Sequence, residues 1–355
     1  MTQAHSTPAG AMPDRVVLIN GAPYLFFSGT AYLCMNHNPA FTQLLIEGMQ
    51  LYGTSYGASR SGNFRIPVYD IAEAAFSQQL GSEAALTLSS GFMAAQLVIR
   101  FFENKADFLY APDSHPALLR NPTDFYSGSF SAWKETVMSH IAKASGKPPV
   151  LVCNSVDPLK LQEYDFSWLN EIQSSEPVIL IVDDSHGLGI TGENGRGIYE
   201  SLKSYPGIEP IVVSSLAKAM GMPGGLILGT ESRISDFRRS SFFTAASPMA
   251  PAYLHAYLQA DSIYREERER LLKNIQYLQD TLNPATGIRS RKSYPVFGCP
   301  NAELAKYLYE KNILISSFAY PTPTDPIVTR IIVNSHHTNT DIDQLTAAIH
   351  SLTIK

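Results

Sequence analysis

The sequence predicts an α/β fold, in which a mostly parallel sheet flanked by helices is followed by a smaller C-terminal α/β domain. Short β-type runs alternate with helical stretches, and polar or glycine-rich turns bound most of them. This alternation is typical of parallel strands joined by crossover helices. A chain of 355 residues, 45% of them hydrophobic, can also bury a large core. We therefore expect an N-terminal segment, a large domain, a connecting helix and a small C-terminal domain, at residues 1–45, 46–250, 251–285 and 286–355.

The large domain contains six segments with the composition of strands, at residues 85–89, 108–111, 150–153, 178–182, 211–214 and 226–228. Ligands of parallel sheets bind beyond the carboxyl ends of the strands. The polar residues that follow these segments are therefore candidates for a binding site, namely Ser90, His115, Asn154, Asp183 and Ser215.

A long helical region at residues 249–282 connects the two predicted domains, and its charged stretch at 265–270 is expected to face solvent. Beyond it the pattern predicts a strand from residue 288, a helix at 302–311, strands at 313–318 and 329–333, and a terminal helix near 341–352.

The composition argues against several functions. A net charge of −5 and a pI near 6.0 give no basic field for nucleic acid. The apolar runs are of strand length and residues 1–15 lack the hydrophobic core of a signal peptide, so we expect no membrane partner. Cys34, Cys153 and Cys299 are widely spaced, which suggests neither a disulfide framework nor a metal site and fits the cytoplasm.

Lys218 stands in the most informative segment, the run Ser-Ser-Leu-Ala-Lys-Ala-Met-Gly-Met-Pro-Gly-Gly that follows the apolar residues 211–213. A lysine between small residues can lose its proton and form a Schiff base with the aldehyde of pyridoxal phosphate. Taken alone, the segment fits an ordinary strand, a solvated lysine and a glycine turn equally well.

A second segment strengthens the cofactor interpretation, because the apolar strand at 178–182 leads directly into Asp183, Asp184, Ser185 and His186. A carboxylate at the end of a central strand can keep the pyridine nitrogen of the cofactor protonated, and Asp183 fits that task. His186 can assist proton transfer near the imine. The alternative for His186 is a structural histidine at a strand–loop junction.

Two motifs carry a family resemblance. Residues 52–60, YGTSYGASR, resemble a glycine-rich YGTGSGGSR segment, and residues 183–197, DDSHGLGITGENGRG, resemble the signature D-[DE]-A-H-x-x-G-x-x-G-x-x-G-R-G. With the lysine segment behind them, the chain resembles, from about residue 32 to about 338, the α-oxoamine synthase family of fold-type I pyridoxal phosphate-dependent enzymes. This family includes 8-amino-7-oxononanoate synthase and 2-amino-3-ketobutyrate CoA ligase.

The resemblance implies a role for each matched residue. Lys218 would be the Schiff-base lysine, Asp183 the partner of the pyridinium nitrogen and His186 the neighbour of the phenolic oxygen. His115 would stack on the ring, although its spacing alone fits a surface-loop histidine too. Three groups of residues would bind the phosphate. The first is the turn at the start of a helix, formed by Ser90, Gly91 and Phe92. The second is Ser215, which follows the strand before Lys218, and the third is Thr244 from the partner subunit of a homodimer.

Arg330 matches the family arginine that binds the carboxylate of the amino acid substrate, a task for which the planar guanidinium is suited. A buried ion pair is the alternative for a lone charge in a strand. The chain departs from the family at two positions expected at the cofactor ring, where the family alanine is Ser185 and a family serine is Pro158. It also departs at positions expected near the substrates, where an asparagine is Thr30, a glycine is Cys34 and a histidine is Tyr69.

The resemblance implies that the protein is an acyltransferase that condenses a small amino acid with an acyl-CoA, decarboxylatively or by a Claisen-type reaction. Two alternatives remain open from the sequence. One is an aminotransferase or aldol-type lyase on the same scaffold without CoA, and the other is a non-catalytic dimeric relative of the fold.

Overall fold

The structure is a computed structural model that describes residues 10–121, 124, 126, 128–143, 147–174, 176–300, 302–320 and 322–353. These residues form two compact units. The larger unit comprises Pro39–Asp157 and Glu163–Asp261, and the smaller unit comprises the described parts of Met1–Asn38, Pro158–Gln162 and Ser262–Lys355. The boundaries of the four segments predicted from the sequence do not coincide with the boundaries of these units. The division of the chain into those four segments stays a prediction. Residues 1–9 of the predicted N-terminal segment lie outside the described part of the chain.

The strands are β1 Val16–Ile19, β2 Ala22–Phe27, β3 Ala84–Leu88, β4 Asp107–Tyr110, β5 Pro149–Asn154, β6 Val156–Asp157, β7 Gln162–Glu163, β8 Val178–Asp183, β9 Ile208–Ser215, β10 Gly225–Gly229, β11 Arg289–Ser290, β12 Val296–Gly298, β13 Ile313–Ala319 and β14 Ile327–Ile332. The helices are α1 Pro39–Tyr52, α2 Val68–Leu80, α3 Gly91–Phe102, α4 Phe130–Lys143, α5 Tyr199–Leu202, α6 Glu231–Arg238, α7 Ser241–Ala245, α8 Pro251–Gln259, α9 Asp261–Thr281, α10 Glu303–Tyr309 and α11 Asn339–Thr353.

The sheet of the larger unit has the strand order β3-β10-β9-β8-β5-β4. β4, β5, β8 and β9 are parallel neighbours. β10 runs antiparallel to both β9 and β3. All six strands predicted for the large domain occur, and the α/β fold class with a mostly parallel sheet is confirmed.

The core of the larger unit explains why its strands are almost wholly apolar. All six residues of β8 are buried, as expected for a parallel strand with other elements on both faces. Leu97 and Val98 of α3 belong to the same buried apolar cluster as Ile181 of β8 and Ile227 of β10. This packing fixes helix α3 against the sheet.

The smaller unit contains a sheet of order β1-β2-β13-β14-β12-β11. The hairpin β1–β2, absent from the predicted elements, turns at Asn20 and Gly21, which both have positive φ angles of 51° and 82°. β2 pairs in parallel with β13, which pairs antiparallel with β14. The strand carrying Arg330 is therefore an inner strand of this sheet.

The helical region predicted at 249–282 differs from the expectation in two respects. It consists of two helices, α8 and α9, separated at Ala260, whose φ of −99° and ψ of 9° interrupt the helix. The charged stretch is also not wholly solvated, because the side chain of Glu267 is only 1% exposed. No helix in the described part of the chain is long and apolar enough to cross a membrane.

Candidate active site

Three predicted site residues lie at the carboxyl ends of strands in the larger unit. β5 ends at Asn154, β8 ends at Asp183 and β9 ends at Ser215. β5 and β9 flank β8, and Asn154 is the register partner of Asp183. Because these strands are parallel, their carboxyl ends meet at one edge of the sheet, where the sequence predicted the site.

One carboxylate oxygen of Asp183 accepts a hydrogen bond within the protein, and the other is available to a ligand. Its Oδ1 accepts a hydrogen bond of 2.8 Å from the backbone N–H of Ser185, which fixes the side chain. Its Oδ2 lies 3.9 Å from Nδ1 of His115 and accepts no hydrogen bond from any described residue. The side chain is only 10% exposed. A nearly buried carboxylate with a free oxygen is suited to accept a hydrogen bond from a protonated ring nitrogen.

His115 is positioned by its backbone and by its ring. Its backbone N–H donates to Oδ1 of Asn154 at 3.0 Å, and its Nδ1 accepts the N–H of Ala117 at 3.1 Å. Burial lowers the pKa of His115; the nearby Asp183 opposes this shift, and Lys218 adds to it. The ring is therefore neutral at pH 7 with its proton on Nε2, and it can stack on a flat ligand without bringing a second positive charge.

Lys218 lies in the turn after β9, and His186 lies in the turn after β8. Both residues are half-buried. Lys218 is close enough to His115 for its charge to lower the pKa of that histidine. The predicted Schiff-base lysine and the predicted stacking residue therefore both follow strands of the same sheet, within reach of each other's electrostatic field.

The N-terminus of α3 lies against the end of β9. A Cβ atom on Gly91 would approach the Cβ of Ser215 to 2.7 Å and its Cα to 2.8 Å, so no larger residue fits there. Ser90 caps the helix, and its Oγ accepts the N–H of Met93 at 3.2 Å. The side chain of Phe92 is 59% exposed, so its contribution to a phosphate site would come from its backbone N–H.

Ser185 has a role that the motifs did not indicate. Its Oγ accepts the backbone N–H of Ser215 at 2.8 Å, across the neighbouring strand ends. An alanine, which the family pattern has at this position, could not accept this bond. The departure from the family pattern was visible in the sequence, but the partner was not, because it lies on another strand.

Thr244 lies on α7 and is exposed. Its carbonyl oxygen accepts a hydrogen bond from Oγ of Ser59 at 2.6 Å, and its Oγ1 lies 3.3 Å from Oγ of Ser61. The structure thus joins Thr244 to the glycine-rich segment at 52–60. Its predicted contact with the phosphate of a partner subunit stays a prediction.

Glu73 was missed by the sequence analysis. Its carboxylate is 2% exposed and makes a two-armed ion pair with Arg60 at 2.5 and 3.0 Å. It also accepts the backbone N–H of Thr87 at 2.7 Å and is paired with Arg238 at 2.5 Å. This network attaches the arginine at the end of the glycine-rich motif to α2 and β3. A glutamate on a helix carries no local signal for such long-range partners.

Arg330, on β14 in the smaller unit, is 6% exposed. Its Nε has no hydrogen-bond acceptor, and no carboxylate of the described residues lies within ion-pair distance of its guanidinium. Its Cζ lies 5.7 Å from the centroid of the Phe318 ring. The buried ion pair considered from the sequence is therefore absent among the residues that the structure describes. An unpaired buried guanidinium is costly unless a ligand neutralises it.

The larger unit offers what pyridoxal phosphate requires: a free carboxylate oxygen, a neutral imidazole, a lysine in the turn after the neighbouring strand and the first backbone amides of helix α3. The close approach of α3 to the end of β9, which leaves room only for glycine at position 91, adds to this fit. The fold and the strand-end site together define the class of the protein, the fold-type I pyridoxal phosphate-dependent enzymes.

Comparisons with known proteins agree. A sequence profile of the aminotransferase class I and II family matches residues 160–349. The 8-amino-7-oxononanoate synthases of Buchnera aphidicola and Vibrio campbellii are 26% and 27% identical to the chain, over 96% and 95% of its length and 91% and 90% of theirs. Sphingomonas wittichii serine palmitoyltransferase has a TM-score of 0.79 at 17% identity, covering 95% of this chain and 89% of that one. A structure of SPT with PLP has a TM-score of 0.82 at 18% identity, covering 99% and 94%.

The chain therefore belongs to the aminotransferase class I and II family, because the matching profile covers more than half of it. The predicted transferase class, the pyridoxal phosphate dependence and the resemblance to α-oxoamine synthases are confirmed. The roles predicted for individual residues are not tested by these comparisons and stay predictions.

Proposed function

We propose that this protein condenses a small amino acid with an acyl-CoA, with pyridoxal 5'-phosphate attached to Lys218. The observation that carries the proposal is the strand-end site of the larger unit, where Asp183 keeps one carboxylate oxygen free beside the neutral His115. The two relatives named as 8-amino-7-oxononanoate synthases support the condensation reaction.

When bound, pyridoxal phosphate supplies an electron sink that stabilises negative charge at the α-carbon of an amino acid. The chain's own residues make this sink effective. Asp183 would hold a proton on the ring nitrogen of the bound cofactor through its free Oδ2, because the negative charge of the carboxylate favours the protonated ring. Lys218 would supply the amine that attaches the cofactor, and the same amine would serve as the proton acceptor and donor near the α-carbon.

The neighbouring residues orient the cofactor. His115, held by Asn154 and Ala117, would stack on the ring of the bound cofactor. His186 would bond its phenolic oxygen. The N–H groups of Gly91 and Phe92, with the hydroxyls of Ser90 and Ser215, bind the phosphate at the N-terminus of α3.

Arg330 binds the carboxylate of the amino acid substrate. A two-armed interaction with a carboxylate neutralises a guanidinium that has no acidic partner among the described residues. This assignment separates amino acid substrates from simple amines.

The active site is shared across a homodimer, in which Thr244 contacts the phosphate bound by the partner subunit. The exposure of Thr244 leaves its hydroxyl accessible to a second chain. We place the enzyme in the cytoplasm, since Cys34, Cys153 and Cys299 are all free thiols.

The proposal is tested by offering amino acids in combination with acyl-CoAs to the cofactor-loaded enzyme and measuring the release of free CoA thiol. We expect release to require both substrates and to be abolished by Lys218→Ala. Conversion of the amino acid to its keto acid without thiol release would contradict the condensation and identify an aminotransferase. Absence of any amino acid-dependent change in the cofactor spectrum would contradict both activities.

A further inference from the structure

Four polar side chains from distant parts of the sequence meet within the smaller unit. Nδ1 of His336 lies 2.8 Å from Oδ1 of Asp14, and its Nε2 lies 3.8 Å from Oε1 of Glu267. The thiol of Cys34 completes the group: one ligand atom each from Asp14, Cys34 and His336 lie within 4.8 Å of one another. We call these four residues the arm cluster.

Glu267 shows that the arm cluster has an unfilled acceptor. Its side chain is 1% exposed, and its Oε1 is bound by Asn38 at 2.8 Å and Arg270 at 2.9 Å. Its Oε2 is buried and accepts no hydrogen bond from any described residue. Ser335 Oγ, buried beside Glu267 and Cys34, also forms no hydrogen bond of normal geometry there. Buried polar atoms without partners are rare, because each costs about 1–3 kcal/mol.

Cys34 reaches the cluster from an unfavourable backbone conformation. Its φ of 46° and ψ of 26° are left-handed, a region that favours glycine, and glycine is the residue of the family pattern at this position. A side chain there costs of order 1–2 kcal/mol. The chain tolerates this cost at the one residue that brings a sulfur to Asp14 and His336, which suggests that the sulfur has a function.

We propose that Asp14, Cys34 and His336 bind a divalent cation of the zinc class through Nδ1 of the histidine, with Glu267 facing Nε2 as the acceptor that orients the ring. Sulfur, imidazole nitrogen and carboxylate oxygen form the donor set that zinc prefers in proteins. Bonds of about 2.0–2.3 Å place tetrahedral ligands about 3.3–3.8 Å apart, so the side chains need to contract by only about 1 Å. Asp14 can move, since its side chain is 37% exposed.

The charges around the cluster fit a cation. Two carboxylates face the His336 ring from opposite sides, Oδ1 of Asp14 at 2.8 Å from Nδ1 and Oε1 of Glu267 at 3.8 Å from Nε2. Arg270 and His37 are the positive or titratable groups that face the two carboxylates from outside. A divalent ion would replace the protons of His336 and Cys34.

The sequence predicted no metal site, because the ligands are spread over positions 14 to 336 and share no spacing motif. Bound metal would join the segment before β1 to the segment after β14 and to α9. Its role would be structural and independent of the condensation reaction.

The test uses the full-length, cofactor-loaded protein, stripped with a chelator and then dialysed against zinc. Metal content is measured by mass spectrometry and affinity by competition with a chromophoric chelator. We expect one zinc per chain in the parent, and a rise in its melting temperature on zinc addition. Cys34→Gly is the decisive variant, because glycine suits the left-handed backbone and the protein should fold. It should lose at least tenfold in zinc affinity and show no zinc-dependent rise in melting temperature.

Cys299→Ser is the matched control, since Cys299 is a half-buried free thiol outside the arm cluster. It should bind zinc as the parent does. The proposal is overturned if the parent retains less than one zinc per chain, if Cys34→Gly binds zinc with the parent's affinity, or if Cys299→Ser loses the metal. His336→Gln gives an independent check on the ring nitrogen and should match Cys34→Gly.

Discussion

Replacement of Arg330 by methionine should weaken amino acid binding without lowering the stability of the protein. The variant keeps most of the side-chain volume in β14 and removes only the charged group. Hydrogen bonds to a charged partner contribute about 1.5–3 kcal/mol, which corresponds to a loss of affinity of roughly 10- to 140-fold. Stability should not fall, because no carboxylate among the described residues depends on Arg330 and a desolvated charge is removed.

The assay has two readouts on the same preparation. Titration of the cofactor spectrum with amino acids gives the affinity, and thermal unfolding gives the melting temperature. Arg330→Lys should recover only part of the affinity, since lysine keeps the charge but cannot bind a carboxylate through two parallel N–H groups. Simple amines without a carboxylate should bind the parent and Arg330→Met alike. Unchanged amino acid affinity, or a fall of several degrees in melting temperature, would refute the reasoning and make Arg330 a structural residue.

Four further predictions concern the larger unit. Lys218→Ala should abolish covalent attachment of the cofactor; borohydride reduction and peptide mapping of the parent should label this lysine, and a label elsewhere would show that it is misassigned. Asp183→Asn should lower turnover by orders of magnitude while attachment persists, because a neutral amide no longer favours the protonated ring; near-normal turnover would exclude the assigned role. Gly91→Ala should weaken cofactor retention on dialysis at least tenfold, since its Cβ would come within 2.7 Å of Ser215; full retention would show that the strand end can yield. Glu73→Gln should cost about 3–5 kcal/mol in chemical denaturation, because its two arginine partners lose their shared buried acid; a cost under 1 kcal/mol would mean that solvent satisfies them.

Much of the larger unit could be predicted because its strands are recognisable from short stretches of sequence. Strands buried on both faces are continuous apolar runs, so β8 and β5 are visible in the sequence. The rule that ligands bind beyond the carboxyl ends of parallel strands then places Asp183 and Asn154 at one edge. The direction of β10 was not predictable in this way, because an apolar run has the same composition in either direction.

The structure differs from the predicted elements at the hairpin β1–β2 and at the boundary between α8 and α9. The Asn20-Gly21 pair between two β-type runs is a known hairpin signal, and it could have revealed β1 and β2. The end of α8 at Gln259 carries no such signal, because Ala260 favours helix and neither glycine nor proline is nearby. Tertiary packing, which is not visible in a short window of sequence, decides that boundary.

Arg330 and Glu267 show where prediction from sequence ends, because burial and pairing are properties of the folded chain. Arg330 was expected to bind a substrate or form an ion pair, and only its surroundings distinguish the two, since no acid of the described residues reaches it. Glu267 was expected in a solvated face and is buried with one oxygen unpaired. In both cases the informative observation is a buried polar atom, Nε of Arg330 or Oε2 of Glu267, that has no hydrogen-bond partner among the described residues. Such a group costs stability, so its persistence in a folded protein is explained most simply by a ligand, a carboxylate for Arg330 and a cation beside Glu267.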